Sequence, residues 1–331
     1  MPATDVLDGV RVLDLGIWRP APFATQLLAE MGATVTKVEP PGGDPMRMFP
    51  SLYRTLNERK RVVELDLKSD DGRATVSELV VTADVVIEGF RPGVADRLGV
   101  GHARVFELNP TVVYCSISGY GQDGPLSDTT GHDLNYQGWT GFLAARAPEI
   151  NRPGVPVGDL AGGTYAAMAI CAAVVRRDRT GRGTRIDVSM ADVLLSWAAP
   201  EIGGALASST DPGTNFPGYG TFGCADGFVT LGIVSEDPFW RDLCDVLELG
   251  DIRSLDVTAR ARRGPELHQR IEIATSARTR DELTAALVAR GVPAAPVLDA
   301  AEAARIDHFI ERGVCRLEDG EISLDHPVRF E

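Results

Sequence analysis

Short apolar runs alternate with amphipathic stretches along the first two hundred residues of the chain. The apolar runs predict strands over residues 10–15, 33–38, 61–67, 84–88, 111–118 and 184–189. Apolar positions at helical spacing predict helices between them, over residues 23–31, 72–82, 94–98, 103–108 and 191–197. This alternation predicts an α/β fold, an open and mostly parallel sheet with helices on both faces.

Residues 160–175 (LAGGTYAAMAICAAVV) contain no proline and are too long for a strand, so they predict another helix. Asp159 stands at or next to its N-cap, where a capping carboxylate contributes about 1 kcal/mol. Gly162 and Gly163 in the predicted first turn weaken a helix by roughly 0.5–1 kcal/mol each. We therefore expect them to let a ligand approach, near a helix N-terminus that stabilises negative charge.

The second part of the chain has a different composition. Residues 203–218 are rich in Gly, Ser, Pro and Thr, which is typical of a linker. A hairpin in CADGFVTLGIV, helices over 237–247 and 264–274, and a strand in VPAAPVL follow. The predicted organisation is a large α/β domain over 1–202, a linker over 203–218, a small α+β domain over 219–300, and a C-terminal helix and tail over 301–331.

Composition limits the possible partners. Among 331 residues, 44% are hydrophobic and 24% charged, as in ordinary soluble proteins. A net charge of −14 argues against nucleic acid or an anionic membrane as partner. The five widely spaced cysteines form no CxxC pair, which predicts reduced thiols in the cytoplasm and no zinc site. Because there is no leader-like N-terminus and no long apolar run, we expect neither secretion nor membrane spanning.

Two turns of the first domain bear on ligand binding. GIWRPAP follows the first predicted strand but lacks the GxGxxG spacing, which argues against a nicotinamide dinucleotide. Arg91 lies in a GFRPG turn directly after a predicted strand, where ligand-binding loops of α/β sheets gather. Most other basic residues between positions 47 and 104 are expected to be ordinary surface residues.

His132 taken alone would be a hydrogen-bonded loop residue. However, GHDLNYQGWTG followed by VGDLAGG closely resembles the α-methylacyl-CoA racemase branch of the family III CoA-transferases, also called CaiB/BaiF. KVEPPGGDP, NERKRVVELDLKS, EGFRPG and SISGYGQDGP are similar to the CoA-binding segments of that family. The resemblance extends over nearly the whole chain.

The resemblance implies an acyl-CoA substrate, with its phosphates held by Arg91, Arg59, Lys60 and Arg61. It places Glu236 beside the active site. Pro40 and Pro41 stand where racemases tend to carry an arginine, so part of the phosphate contact must differ. An interlocked homodimer is expected, with no metal and no cofactor beyond the CoA of the substrate.

The leading hypothesis is a 2-methylacyl-CoA racemase. One of His132 and Asp159 would remove the α-proton and the other would return a proton on the opposite face. Asp133 would orient the imidazole, and backbone N–H groups at the helix start would stabilise the enolate. The alternative is a CoA-transferase, in which Asp159 attacks the thioester and carries CoA as an aspartyl thioester, without a role for the histidine.

Overall fold

The computed structural model describes residues 5–143, 153–206, 216–318 and 321–330. It divides into two compact units. The first comprises Met1–Ala207 and Ile310–Glu331, and the second comprises Ser208–Phe309. Helix Ala199–Leu206 extends into the predicted linker, and residues 207–215 of that linker lie outside the described residues.

The first unit is built on a six-stranded sheet. Its strands are β1 (Arg11–Asp14), β2 (Thr34–Glu39), β3 (Arg61–Glu64), β4 (Val85–Glu88), β5 (Val113–Ser118) and β6 (Thr184–Ser189). All pairings are parallel, in the order β3-β2-β1-β4-β5-β6. Because the strand order reverses at β1 and β4, a crevice opens beyond the carboxyl ends of these strands.

Helices cover both faces of this sheet. They are α1 (Pro20–Glu30), α2 (Pro50–Asn57), α3 (Asp70–Thr82), α4 (Val94–Arg97), α5 (His102–Leu108), α6 (Asp133–Trp139), α7 (Val157–Thr180), α8 (Met190–Trp197) and α9 (Ala199–Leu206). A 3₁₀ turn spans Pro45–Met48. Alternate residues of β4 point to opposite faces of the sheet, and each face has its own hydrophobic core. Val85 and Ile87 pack with α1, α7 and α8 on one face, and Val86 packs with α3 and α5 on the other.

Helix α7 is longer than predicted, so Gly162 and Gly163 lie in its second turn. A Cβ on Gly162 would lie 2.6 Å from Cγ of Met190, and one on Gly163 would lie 2.8 Å from the carbonyl oxygen of Pro20. The two glycines therefore let α7 pack closely against α1 and Met190. Residues of α1 and the Met190 side chain therefore occupy the space in which a ligand was expected.

Helix α7 also departs from the expected absence of a membrane-length apolar segment. By length and composition it could cross a membrane, with a mean hydropathy of 1.4 over its most apolar window. Half of that window is buried inside the chain. Core helices of α/β units pass the same test.

The second unit has its own core around Phe222, Trp240, Leu267 and Leu283. Its antiparallel strands are β7 (Tyr219–Cys224), β8 (Gly227–Gly232) and β9 (Ala294–Pro296), in the order β7-β8-β9. Its helices are α10 (Asp237–Val246), α11 (Val257–Arg262), α12 (Gly264–Ser276), α13 (Arg280–Val288) and α14 (Ala300–Ala303), with a 3₁₀ turn at Gly250–Ile252.

The C-terminal segment differs from the single helix that the sequence predicts from Ala300 to Arg312. After α14, the N–H groups of Arg305 and Ile306 donate to carbonyls only three residues earlier, which tightens and ends the helix. A second short helix, α15 (Asp307–Glu311), follows. The tail then forms an antiparallel hairpin of β10 (Cys315–Glu318) and β11 (Glu321–Leu324).

Candidate active site

A cavity of about 770 Å³ lies at the carboxyl ends of β1, β4 and β5, where the strand order reverses. Its walls are the loops that follow these three strands, the segment leading into α6, and the first turn of α7. Asp159, His132 and Arg91 all line it. The tertiary structure thus brings three of the predicted site residues, far apart in sequence, to one cavity.

Asp159 lies in the first turn of α7 and is partly buried. Burial, reinforced by the charge of Asp133, raises the pKa of its carboxyl to about 7, and the Arg19 guanidinium opposes this shift. Within the described residues its carboxylate accepts no hydrogen bond. Asp159 is therefore not the helix cap that the local sequence suggests, and its oxygens face the cavity unpaired.

Asp133 caps α7 instead. Its Oδ1 accepts hydrogen bonds from the backbone N–H groups of Gly158 (2.6 Å) and Asp159 (3.3 Å). Its Oδ2 accepts one from Nε2 of the buried Gln137 at 2.6 Å. The expected role of Asp133 in orienting His132 is thus replaced by a contact with α7, because its carboxylate is fully engaged there. The backbone donors expected to stabilise an enolate are occupied by the same carboxylate.

His132 and Arg91 occupy the more open part of the cavity. His132 is the N-cap residue of α6, is exposed, and donates its backbone N–H to Oδ1 of Asn135 at 2.9 Å. Arg91 is also exposed, and within the described residues its guanidinium forms no hydrogen bond or ion pair. Arg97, the last residue of α4, lines the same cavity. This opening therefore offers two cationic side chains to an anionic ligand.

The loop after β1 is held by buried charges. Trp18, a cavity residue, has a left-handed backbone (φ 64°), which is strained for a side chain of this size. The backbone N–H of Trp18 donates to Oδ1 of Asp44 at 3.2 Å, and Asp44 forms a fully buried ion pair with Lys37 at 3.0 Å. Nζ of Lys37 in turn donates to the carbonyl of Gly16 at 2.5 Å. Lys37 and Asp44, both in or beside the KVEPPGGDP segment, thus shape this loop from inside the protein.

The basic segment expected to bind CoA phosphates is divided by the fold. Nζ of Lys60 is buried and donates to the carbonyl of Pro22 (2.8 Å) and to the side chains of Asn57 (3.0 Å) and Asp14 (3.2 Å). Its expected phosphate contact is not supported, because the ammonium is enclosed by protein oxygens. Arg59 pairs with Asp325 at 2.5 Å, and Arg61 is exposed on the edge strand β3.

Glu236 belongs to the second unit, where it is the N-cap residue of α10. Its exposed carboxylate accepts a hydrogen bond from the N–H of Val234 at 2.9 Å. Hydrogen bonds from backbone N–H groups hold its pKa below the usual range. Its expected place beside the active site stays a prediction.

Several residues in the cavity wall, together with Arg19 next to Asp159, were not predicted as site residues. Arg19 is partly buried, forms no side-chain hydrogen bond within the described residues, and lies close enough to Asp159 to lower its pKa. Ser118 is the last residue of β5, Tyr120 follows two residues later, and both line the cavity. Tyr136 packs edge-on against Tyr120, with ring centroids 5.1 Å apart. The motifs WRPAP, SISGYG and GHDLNYQGWTG contain these residues and are the sequence features that could have pointed to them.

A family model described as CoA-transferase family III matches residues 7–330. The chain belongs to CoA-transferase family III. It is 35% identical over 319 residues to a succinate–glutarate CoA-transferase of Agrobacterium fabrum, covering 88% of this chain and 80% of the relative. It is 33% identical over 347 residues to an acetyl-CoA:oxalate CoA-transferase of Acetobacter aceti, covering 98% and 88%.

A solved structure agrees with this family. A CaiB/BaiF family protein from Brucella suis superposes with a TM-score of 0.89 at 30% sequence identity, covering 99% of this chain and 93% of that one. The two relatives described above are both named for CoA transfer. They favour the transferase alternative over the racemase that the sequence suggested.

Proposed function

We propose that this family III member transfers CoA from an acyl-CoA thioester to a free carboxylic acid, with Asp159 as the nucleophile. The observation that carries the proposal is an unpaired, partly buried carboxylate facing a cavity at the reversal point of the sheet. A pKa of about 7 leaves much of this carboxylate ionised at neutral pH. Burial also strips it of water, which favours attack on a carbonyl carbon.

The chemistry proceeds in four substitutions at carbonyl carbons. An oxygen of Asp159 bonds to the acyl carbon of the donor and the C–S bond breaks, giving a mixed anhydride and CoA thiolate. The thiolate attacks Cγ of Asp159, forming an aspartyl-CoA thioester and releasing the donor acid as a carboxylate. The acceptor carboxylate then attacks Cγ, regenerating an anhydride and the thiolate. Attack of the thiolate on the acceptor's acyl carbon yields the new thioester and restores Asp159.

The unpaired guanidinium of Arg91, with Arg97 close by, is proposed to bind phosphate groups of CoA at the cavity entrance. Arg59 and Arg61 are proposed as weaker, peripheral contacts, since Arg59 already pairs with Asp325. The dicarboxylic acids in the names of the two relatives suggest short dicarboxylates as acceptors. The thioester itself activates the acyl group, so this chemistry requires no metal or redox cofactor.

We also propose a homodimer. Large apolar side chains on α6, α7 and α8 are exposed, which is unusual for a surface that faces water throughout. The examples are Trp139 (63% exposed), Met168 (59%), Val175 (50%), Leu195 (47%) and Trp197 (44%). A second copy of the chain would cover them, and Met168→Glu should shift the protein to monomer in light scattering. An unchanged mass would contradict the use of this face.

The deciding experiment supplies succinyl-CoA with oxalate, glutarate or another short acid, and follows CoA migration by mass spectrometry. Succinyl-CoA alone should add the mass of CoA to the intact protein through a thioester that hydroxylamine cleaves. Asp159→Ala should abolish both the adduct and the transfer, whereas His132→Ala should retain them. Transfer that survives in Asp159→Ala would refute the proposal.

Racemisation is the second candidate, because His132 and Asp159 line the same cavity. It predicts that 2-methylacyl-CoA takes up one deuterium at the α-carbon in deuterated buffer, and that His132→Ala stops the uptake. CoA migration without deuterium uptake assigns the transferase. Uptake without migration assigns the racemase.

A further inference from the structure

Two hydroxyl groups in the cavity have no partner. Ser118 is 7% exposed and Tyr120 is 8% exposed, and both residues line the cavity that contains Asp159. Neither Oγ of Ser118 nor Oη of Tyr120 forms a hydrogen bond to any described residue. Buried polar atoms are nearly always hydrogen-bonded, because burying an unpaired one removes its bonds to water without replacing them. A ligand in the cavity is the natural partner for both.

The proposed chemistry needs such donors. When a nucleophile attacks the acyl carbon, the electron pair of the C=O bond moves onto the carbonyl oxygen, which becomes an oxyanion. The helix start nearest to Asp159 cannot supply the N–H groups of Gly158 and Asp159, because both donate to Asp133. Among the buried side-chain polar atoms of the described residues that lack a partner, those of Ser118 and Tyr120 are the ones that line this cavity.

We infer that the hydroxyls of Ser118 and Tyr120 donate hydrogen bonds to the acyl oxygen of the CoA thioester as it becomes an oxyanion. The inference rests on the proposed CoA transfer and adds two catalytic residues to it. The donors act in the first and last substitutions, which take place at an acyl carbon. No proton is transferred, and each O–H bond stays intact. When the intermediate collapses, the electron pair of the oxyanion re-forms the C=O bond. The negative charge then leaves with the CoA thiolate as the C–S bond breaks, or with the Asp159 carboxylate as the anhydride C–O bond breaks.

The fold holds both hydroxyls in place. Ser118 ends β5 in a continuous pairing with β6, and the next residue, Gly119, accepts the N–H of Ala191 at 2.9 Å. A Cβ at Gly119 would lie 2.5 Å from the ring of Tyr136, so the loop and this ring are tightly packed. Tyr136 in turn packs against the Tyr120 ring and donates to the carbonyl of Gly131 at 2.5 Å. Donors fixed before the reaction need no reorganisation during it.

Gly131 leaves room at the Tyr120 hydroxyl. A Cβ built on Gly131 would lie 3.1 Å from that oxygen, closer than ordinary side chains approach. Burial raises the pKa of Tyr120, so the phenol keeps its proton at neutral pH. It therefore stays a neutral hydrogen-bond donor beside an anionic reaction.

The test compares Ser118→Ala and Tyr120→Phe with the wild type in CoA transfer from succinyl-CoA to glutarate. We expect kcat to fall by about 10²–10³-fold for each variant while KM stays nearly constant, because the bonds strengthen only in the transition state. Tyr114→Phe is the matched control: it removes a buried hydroxyl that already donates to the carbonyl of Val100 at 3.0 Å, outside the cavity. Its kcat should be unchanged.

Thermal unfolding gives a readout that does not depend on turnover. Tyr120→Phe should leave Tm unchanged or raise it, because it removes a hydroxyl without a partner, whereas Tyr114→Phe should lower it. Equal losses of Tm in the two variants would show that the Tyr120 hydroxyl is paired within the protein and would overturn the inference. If the wild type transfers CoA and both Ser118→Ala and Tyr120→Phe keep its full kcat, the inference is also overturned. The proposed function would then remain intact. Absence of transfer in the wild type would reject both.

Discussion

The carboxylate of Asp133 accepts a hydrogen bond from the backbone N–H of Asp159 at 3.3 Å, and its negative charge raises the pKa of the Asp159 side chain. One carboxylate thus anchors the helix start that carries the other and makes it harder to ionise. Arg19 acts in the opposite direction. The reactivity of Asp159 depends on the balance between these two neighbours and its burial.

Removing the charge of Asp133 and removing the charge of Arg19 should shift the pH dependence of the reaction in opposite directions. The nucleophile must be ionised, so kcat of the wild type should rise with pH through about 7. Asp133→Asn removes a negative charge, lowers the pKa of Asp159 and moves the rise to lower pH. Arg19→Met removes a positive charge and moves it to higher pH. Profiles of kcat against pH, measured in one buffer series, give the result.

Asp70→Asn is the control for these profiles, since Asp70 is an almost fully exposed carboxylate on α3. Its profile should overlay that of the wild type. If Asp133→Asn and Arg19→Met move the profile in the same direction, the titrating group is not Asp159.

Stability should also depend on the ionisation of Asp159. The pKa of its carboxyl is about 7 in the folded protein against 3.8 for the ordinary group, so ionisation above pH 7 disfavours the fold by about 2–4 kcal/mol. The unfolding free energy of the wild type should therefore fall as the pH rises from 4 to 7. Above pH 7 this loss should stay constant. Asp159→Asn should be more stable than the wild type at pH 8, and equally stable near pH 4. Urea unfolding at both pH values tests the sign.

Arg91→Ala should weaken CoA binding by about 10–100-fold, because a hydrogen bond to a charged group contributes about 1.5–3 kcal/mol. The loss should shrink as salt is raised, since exposed charges are screened. Arg104→Ala is the control, because Arg104 is a basic surface residue that pairs with Glu107. Calorimetry at low and high salt measures both variants. Equal affinities in Arg91→Ala and wild type would exclude the phosphate contact.

Lys60→Met should destabilise the fold by about 3–5 kcal/mol, because it leaves Asp14 buried without its nearer cation. Arg61→Met should change stability by less than about 0.5 kcal/mol, since its side chain is exposed. Denaturant titration of the two neighbours separates a buried structural lysine from a surface arginine. A stable Lys60→Met variant with weakened CoA binding would restore the phosphate role that the sequence suggested.

Local sequence determined much of the secondary structure. The run TRIDVS corresponds to β6 (Thr184–Ser189), and the apolar runs before it locate β1 to β5 to within a few residues, because strand and helix periodicity depend on neighbouring residues. The sequence also singled out Asp159, His132 and Arg91, each of which belongs to a motif, and all three line one cavity. Their roles in catalysis and binding stay predictions. The cytoplasmic location and the interlocking of a dimer stay predictions.

Only the tertiary structure decided how the site is assembled. Asp133 caps a helix that begins 24 residues later, Lys60 turns inward to Asp14, and Gly162 and Gly163 serve packing against Met190 and α1. Each of these facts depends on which segments the sheet order brings together. Burial, the unpaired hydroxyls of Ser118 and Tyr120, and the raised pKa of Asp159 follow from that assembly, and no spacing along the chain encodes them.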